Sequence, residues 1–136
     1  MIKSTEIRRG RSCVFQLHVH LVFVTKYRRE VFTKEILLEL KDIFNSVLND
    51  FGATLIEFNG ENDHVHLLVN YQPKFAISTL VNSLKGVSSR LIKKKKHPSI
   101  VQALYGNSFW SPSYFASSCG GASLKIRKYI EKQVIA

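Results

Sequence analysis

The chain has 136 residues and a mass of 15.5 kDa, enough for one hydrophobic core and too little for two. With 45% hydrophobic and 22% charged residues, seven Gly and three Pro, it is excluded from the disordered, collagen-like and low-complexity classes. The net charge of +10 is unevenly placed: residues 1–30 carry seven basic and two acidic side chains, 31–84 three and seven, 85–97 six and none, and 122–136 four and one.

Val14 to Thr25 alternates, with Phe15, Leu17, Val19, Leu21 and Phe23 at odd positions and Gln16, His18 and His20 between them, which predicts one long strand with a single core face. Such a strand has no Pro and a strongly apolar face. As a solitary edge it would be poorly protected, so Val14 to Val24 is expected to pair with its own copy in a symmetric homodimer. Thr33 can cap a helix whose apolar stripe is Ile36, Leu37, Leu40, Ile43, Phe44, Val47 and Leu48, ending near Phe51-Gly52.

Ala53 to Phe58 and His64 to Tyr71 read as two strands joined through Asn59-Gly60-Glu61-Asn62-Asp63, where Asn-Gly is a hairpin signal. Pro73 can open a second helix, with Ile77, Leu80, Val81, Leu84, Val87, Leu91 and Ile92 as its stripe and an end before Pro98. The stretch from Gly106 to Ser113 is turn-rich, Tyr114 to Ser118 is a short strand, and Ser123 can cap a last helix from Leu124 to about Val134. This order predicts an α+β fold, a ferredoxin-like or RRM-like antiparallel sheet with helices on one face and one added helix, in a single domain over 1–136.

No apolar run reaches the roughly 18 to 20 residues of a membrane span, and the first residues lack an apolar signal core, so a cytosolic protein without a membrane partner is expected. Cys13 and Cys119 lack a CxxC spacing and are expected to be reduced thiols. Three basic segments around an acidic middle suit a surface that follows phosphates. For Lys93 to Lys96 taken alone, a solvated lysine face is an equal alternative.

Two His-x-His pairs, His18/His20 and His64/His66, each place two imidazoles on one side of a strand, where they could hold a divalent metal or be plain sheet-face residues. For the second pair Val65, Leu67 and Val69 fill the core face, and an acidic loop immediately precedes it. The first pair sits mid-strand beside Gln16, which favours hydrogen-bonded structural histidines. Tyr129 and Gln133 are four residues apart and share a helix face, while Ile126, Ile130 and Val134 supply a packing stripe. A phenol of pKa near 10 is a poor nucleophile unless a base or metal assists it. There is no GxSxG, no Walker glycine loop and no zinc-type Cys/His spacing. Trp110, Tyr114 and Phe115 could stack on bases, although Trp110 reads first as core.

Five ordered blocks resemble one family: residues 15–29, Asp63-His64-Val65-His66-Leu67-Leu68-Val69, Leu84-Lys85-Gly86-Val87-Ser88-Ser89-Arg90, Phe109-Trp110-Ser111-Pro112-Ser113-Tyr114-Phe115 and Lys128-Tyr129-Ile130-Glu131-Lys132-Gln133. Together they look like the signatures of the TnpA-like (IS200-like) transposases of the simplest insertion sequences, the single-tyrosine branch of the HUH endonucleases. The resemblance implies a metal-dependent enzyme that cleaves and rejoins single-stranded DNA beside hairpins through a 5′-phosphotyrosine intermediate. It implies Tyr129 as nucleophile, carried on the C-terminal helix, and His64, His66 and Gln133 as ligands of Mg²⁺ or Mn²⁺. By position, Lys26, Arg28, Arg29, Lys85, Ser89, Arg90 and Lys93 would contact the hairpin. It also implies a homodimer whose first strands join into one sheet and whose active sites are composite, in the nucleoid of a prokaryotic cell. A domesticated relative acting on chromosomal palindromes, or a non-catalytic nucleic-acid-binding module of the same architecture, are the alternatives.

Overall fold

A computed structural model describes residues 8–9, 14–15, 17–104 and 108–118. Short strands β1 (Arg8–Arg9) and β2 (Val14–Phe15) pair with each other, and the main sheet is built from β3 (His18–Thr25), β4 (Thr54–Gly60), β5 (His64–Asn70) and β6 (Trp110–Ser118). Helices α1 (Lys34–Asp50), α2 (Ile77–Lys94) and α3 (Pro98–Leu104), with a short 3-10 turn over Lys26–Arg28, complete the described elements. The sheet is antiparallel in the order β4-β5-β3-β6, the expected α+β architecture. The expected helix from Leu124, with Tyr129 and Gln133, lies outside the described residues, as do Cys13 and Cys119.

Alternation decides which face of each strand is buried under the helices. Val19, Leu21 and Phe23 on β3 pair with Val69, Leu67 and Val65 on β5, and all six join α1 and α2 in one core. From α1 come Ile36, Leu40, Phe44, Val47 and Leu48; from α2 come Val81, Leu84 and Ile92. The Thr33 hydroxyl accepts from the Ile36 amide at 3.2 Å, as its capping role requires. At the other end Gly52 takes φ +65°, which lets Ala53 N–H return to the Leu48 carbonyl at 2.9 Å.

Four expectations need correction. The long strand from Val14 divides, with only His18–Thr25 in the main sheet. That strand is central, so it is no edge: β5 takes one side and β6 the other, from Val19↔Ser118 to Phe23↔Tyr114, leaving its backbone no room for a second copy. Strand β6 begins at Trp110, through the stretch expected to be turns. Pro112 is tolerated because β6 pairs on one side only among the described residues and the register shifts between Phe23 and Thr25. Finally, Pro73 starts a turn closed by Phe75 N–H on the Gln72 carbonyl at 3.3 Å, and α2 opens only after Ala76, while Pro98 opens an unforeseen helix anchored by buried Ile100.

Trp110 sits in the core at 5% exposure, edge-on to Phe23 at 5.7 Å and to Phe32 at 5.5 Å, and its indole N–H donates to the Ser88 hydroxyl at 2.9 Å. Trp110→Ala is expected to cost about 3–5 kcal/mol of stability, read from the urea midpoint. A loss below about 1 kcal/mol would remove Trp110 from the core. No described helix is long and apolar enough to cross a membrane.

Candidate metal and nucleic-acid site

Register brings the two histidine pairs together. Val24 faces His64, Val22 faces His66, His20 faces Leu68 and His18 faces Asn70, so all four imidazoles project from the side of the sheet opposite α1 and α2. Sequence spacing could not show this, because pairing between strands some 45 residues apart is set by the tertiary fold.

His64 is 5% exposed, and its Nδ1–H donates to Asp63 Oδ1 at 2.8 Å. A carboxylate can only accept, so the Nδ1 proton is directed at Asp63 and Nε2 takes no part in this bond. The same carboxylate takes Arg28 Nη2 on its other oxygen at 3.1 Å. Arg28, Asp63 and His64 therefore form one chain of contacts that orients the imidazole. His66 is half-buried, and burial, followed by repulsion from His64 and His20, pushes its pKa below the usual histidine range against the pull of Glu57 and Glu61. A neutral imidazole is the form that binds metal. Both histidines open onto a cavity of about 550 Å³ bordered by Glu30, Asn59, Glu61, Asn62 and Asp63.

The first pair splits. The Asn70 amide donates to His18 Nε2 at 3.2 Å, which makes His18 the hydrogen-bonded structural residue anticipated. By contrast, His20 Nδ1 is buried without a hydrogen-bond partner among the described residues. Its pKa is lowered first by burial and then by His18, with Glu57 opposing. Among the described residues no group of three His, Cys, Asp or Glu is arranged to hold a metal ion.

The candidate DNA contacts are brought only partly together. A groove of about 400 Å³ gathers Lys26, Lys85, Ser89 and Lys93 with Asn82 and Ser111. Arg90 is exposed on α2 outside that lining, and Arg28 is drawn to Asp63. The Lys85 ammonium donates to the carbonyls of Ser111 at 2.7 Å and Ser113 at 2.8 Å, and burial lowers its pKa to about 8. Lys85 thus clamps the start of β6 to α2, with part of its charge spent on the protein itself. Tyr114 is partly exposed beside it, whereas Phe115 packs on Val22 and Val24 on the face opposite α1 and α2.

Known proteins resemble this chain in sequence and fold. The family model for IS200-like transposases matches residues 13–133. The ISDra2 transposase TnpA of Deinococcus radiodurans is 36% identical over 134 residues, covering 98% of this chain and 95% of that one. The transposase for insertion sequence element IS200 of Salmonella typhimurium is 29% identical over 116 residues, covering 85% and 75%. A solved transposase structure from Deinococcus radiodurans R1 superposes with a TM-score of 0.81 at 34% identity, over 93% of this chain and 97% of that one. A REP-associated tyrosine transposase bound to a REP hairpin shares the fold at a TM-score of 0.59 and 11% identity, over 89% and 67%. With its histidine-bearing sheet inside a match that runs nearly end to end, the chain belongs to the family of IS200-like transposases.

Proposed function

We propose that this transposase acts as a single domain that cleaves and rejoins single-stranded DNA at hairpin-bearing ends through a covalent tyrosine intermediate, with a divalent metal at His64 and His66. The observation that carries the reading is the Arg28–Asp63–His64 chain, which holds one imidazole through Nδ1 beside a second, half-buried one at a cavity mouth. Such a carboxylate behind a ligating histidine is the usual support of a metal site. Two imidazoles fit Mn²⁺ or Mg²⁺ once oxygen donors complete the set, and the amide of Gln133 would be one. When bound, the metal supplies positive charge at the scissile phosphate.

The protein's part is nucleophilic displacement. The Tyr129 oxygen would attack phosphorus, the bond to the 3′-oxygen would break, the phenol would give up its proton and the leaving oxygen would take one up. A 5′-phosphotyrosine and a free 3′-hydroxyl result, and a 3′-hydroxyl from another end reverses the step. One phosphodiester is exchanged for another, so no nucleotide cofactor is required.

Lys26 and Lys93 would follow hairpin phosphates in the basic groove, with Arg29 and Arg90 exposed nearby in sequence. A homodimer with composite sites that joins its two sheets would do so through β4 or β6, each of which pairs on one side only among the described residues, and not through β3.

The test is incubation with labelled single-stranded ends and Mg²⁺, followed by denaturing electrophoresis for a protein–DNA adduct. A non-catalytic binding module would bind without an adduct. Affinity should fall with salt at a log–log slope of about −0.7 per phosphate contact on single strands and about −0.9 on duplex stems. Neutralising Lys26 with Lys93 should flatten it, and a salt-independent affinity would reject the groove. Asp63→Asn is expected to lower Mn²⁺ affinity roughly 10–100-fold while hairpin binding stays near wild type. Unchanged metal affinity by calorimetry would show that Asp63 does not support the site.

A further inference from the structure

Between the basic groove and the histidine cavity runs a single turn, Lys26-Tyr27-Arg28, and its central side chain has no task in the reading above. Tyr27 is 70% exposed, the most open of the large apolar side chains described. Its backbone is left-handed, φ 59° and ψ 19°, and Arg28 follows at φ 54°. For bulky L-residues that conformation is strained, at a cost on the order of 1–3 kcal/mol each. The surroundings impose it from both ends. Lys26 N–H donates to the Phe109 carbonyl at 3.1 Å, the Thr25 hydroxyl donates to the Arg29 carbonyl at 2.8 Å, and Arg28 is held by Asp63. A strained turn fixed this firmly presents its tyrosine outward instead of letting the ring fold onto the protein.

The ring's neighbours are cations. Lys26 Nζ lies 5.5 Å from its centroid and the Arg29 guanidinium carbon 5.7 Å. Lys26 also lines the basic groove, while Arg28 leads through Asp63 to His64. Tyr27 is therefore the exposed aromatic on the short path between the two halves of the site.

We infer that Tyr27 is a stacking platform for one unpaired base of the DNA strand as it leaves the hairpin stem and enters the histidine cavity. The inference rests on the proposed function and adds a positioning residue to it. Chemistry selects the occupant. A base inside a duplex is already stacked on both faces, so only an unpaired one gains from an open ring. The cations over the ring, on long mobile stems, suit the phosphates on either side of that base, and would disfavour a basic or purely apolar protein partner. Since every base has a π-face, the platform fixes position without reading sequence.

The test uses a DNA hairpin taken from the sequence flanking the gene, as a blunt stem and as the same stem with an unpaired extension, with binding followed by fluorescence anisotropy. Asn tolerates left-handed backbone, so Tyr27→Asn removes the ring while keeping the turn. It is expected to weaken binding of the extended hairpin roughly tenfold, the size of one lost base stack, and to leave the blunt stem within about twofold. Tyr27→Phe and Tyr27→Trp should retain wild-type affinity. A 2-aminopurine in the extension should be quenched by the wild type and not by Tyr27→Asn, and an abasic site there should weaken the wild type but cost the variant nothing further.

Equal loss on both DNAs, no loss on either, or a Phe variant as weak as the Asn variant would overturn the inference. So would a change in sedimentation of Tyr27→Asn, which would assign the ring to a contact between copies of the chain. A wild type that binds neither DNA would defeat the proposed function itself. One that binds both equally well, with an adduct still formed, would remove only the platform.

Discussion

Tyr129→Phe is expected to abolish the covalent adduct, lowering cleavage by several orders of magnitude while hairpin affinity stays within about twofold of wild type. The substitution deletes one oxygen and keeps the ring, so helix packing and phosphate contacts survive and only the bond-forming atom is lost. The two readouts must separate. Denaturing electrophoresis follows the adduct, and anisotropy follows binding on the same hairpin. Cleavage above a trace in the variant would move the nucleophile elsewhere, whereas parallel loss of adduct and binding would mean that Tyr129 holds the DNA and does not attack it.

Nearly as large an effect is expected from His66→Ala or His64→Ala, each of which should eliminate metal-stimulated cleavage, with His18→Ala close to wild type. The contrast rests on how each ring is used. His64 is held by Asp63 through Nδ1 and lines the cavity, His66 lines the same cavity, and His18 already spends Nε2 on the Asn70 amide. Removing one of two imidazoles should weaken Mn²⁺ binding at least 10-fold, since a lost ligand costs no less than a lost support for it. Calorimetric titration with Mn²⁺ alone checks this without DNA. If His18→Ala abolishes metal binding and His66→Ala does not, the site belongs to the other pair.

Local chemistry made much of this molecule legible before folding was considered. The two-residue alternation in β3 and β5 assigns Val19, Leu21, Phe23, Val65, Leu67 and Val69 to the core because successive strand side chains must point to opposite faces. Thr33 and the helical stripe after it specify α1 for the same kind of reason: a cap and a 3.6-residue period are properties of neighbouring residues. The signature blocks, equally local, identified the family. What neighbours cannot specify is the partner of each strand. The apolar run of β3 is as consistent with an edge joined to another copy as with a central strand, and only β6, arriving some 90 residues later, makes it central. Pairing of β3 with β5 likewise puts His20 on the face that carries His64 and His66. Charges follow the same division. Counting basic residues predicts a cationic surface, but Arg28 is claimed by Asp63 and Lys85 by two carbonyls of β6, because once the chain is packed a neighbouring acceptor competes for a cation that an isolated sequence would assign to solvent or DNA.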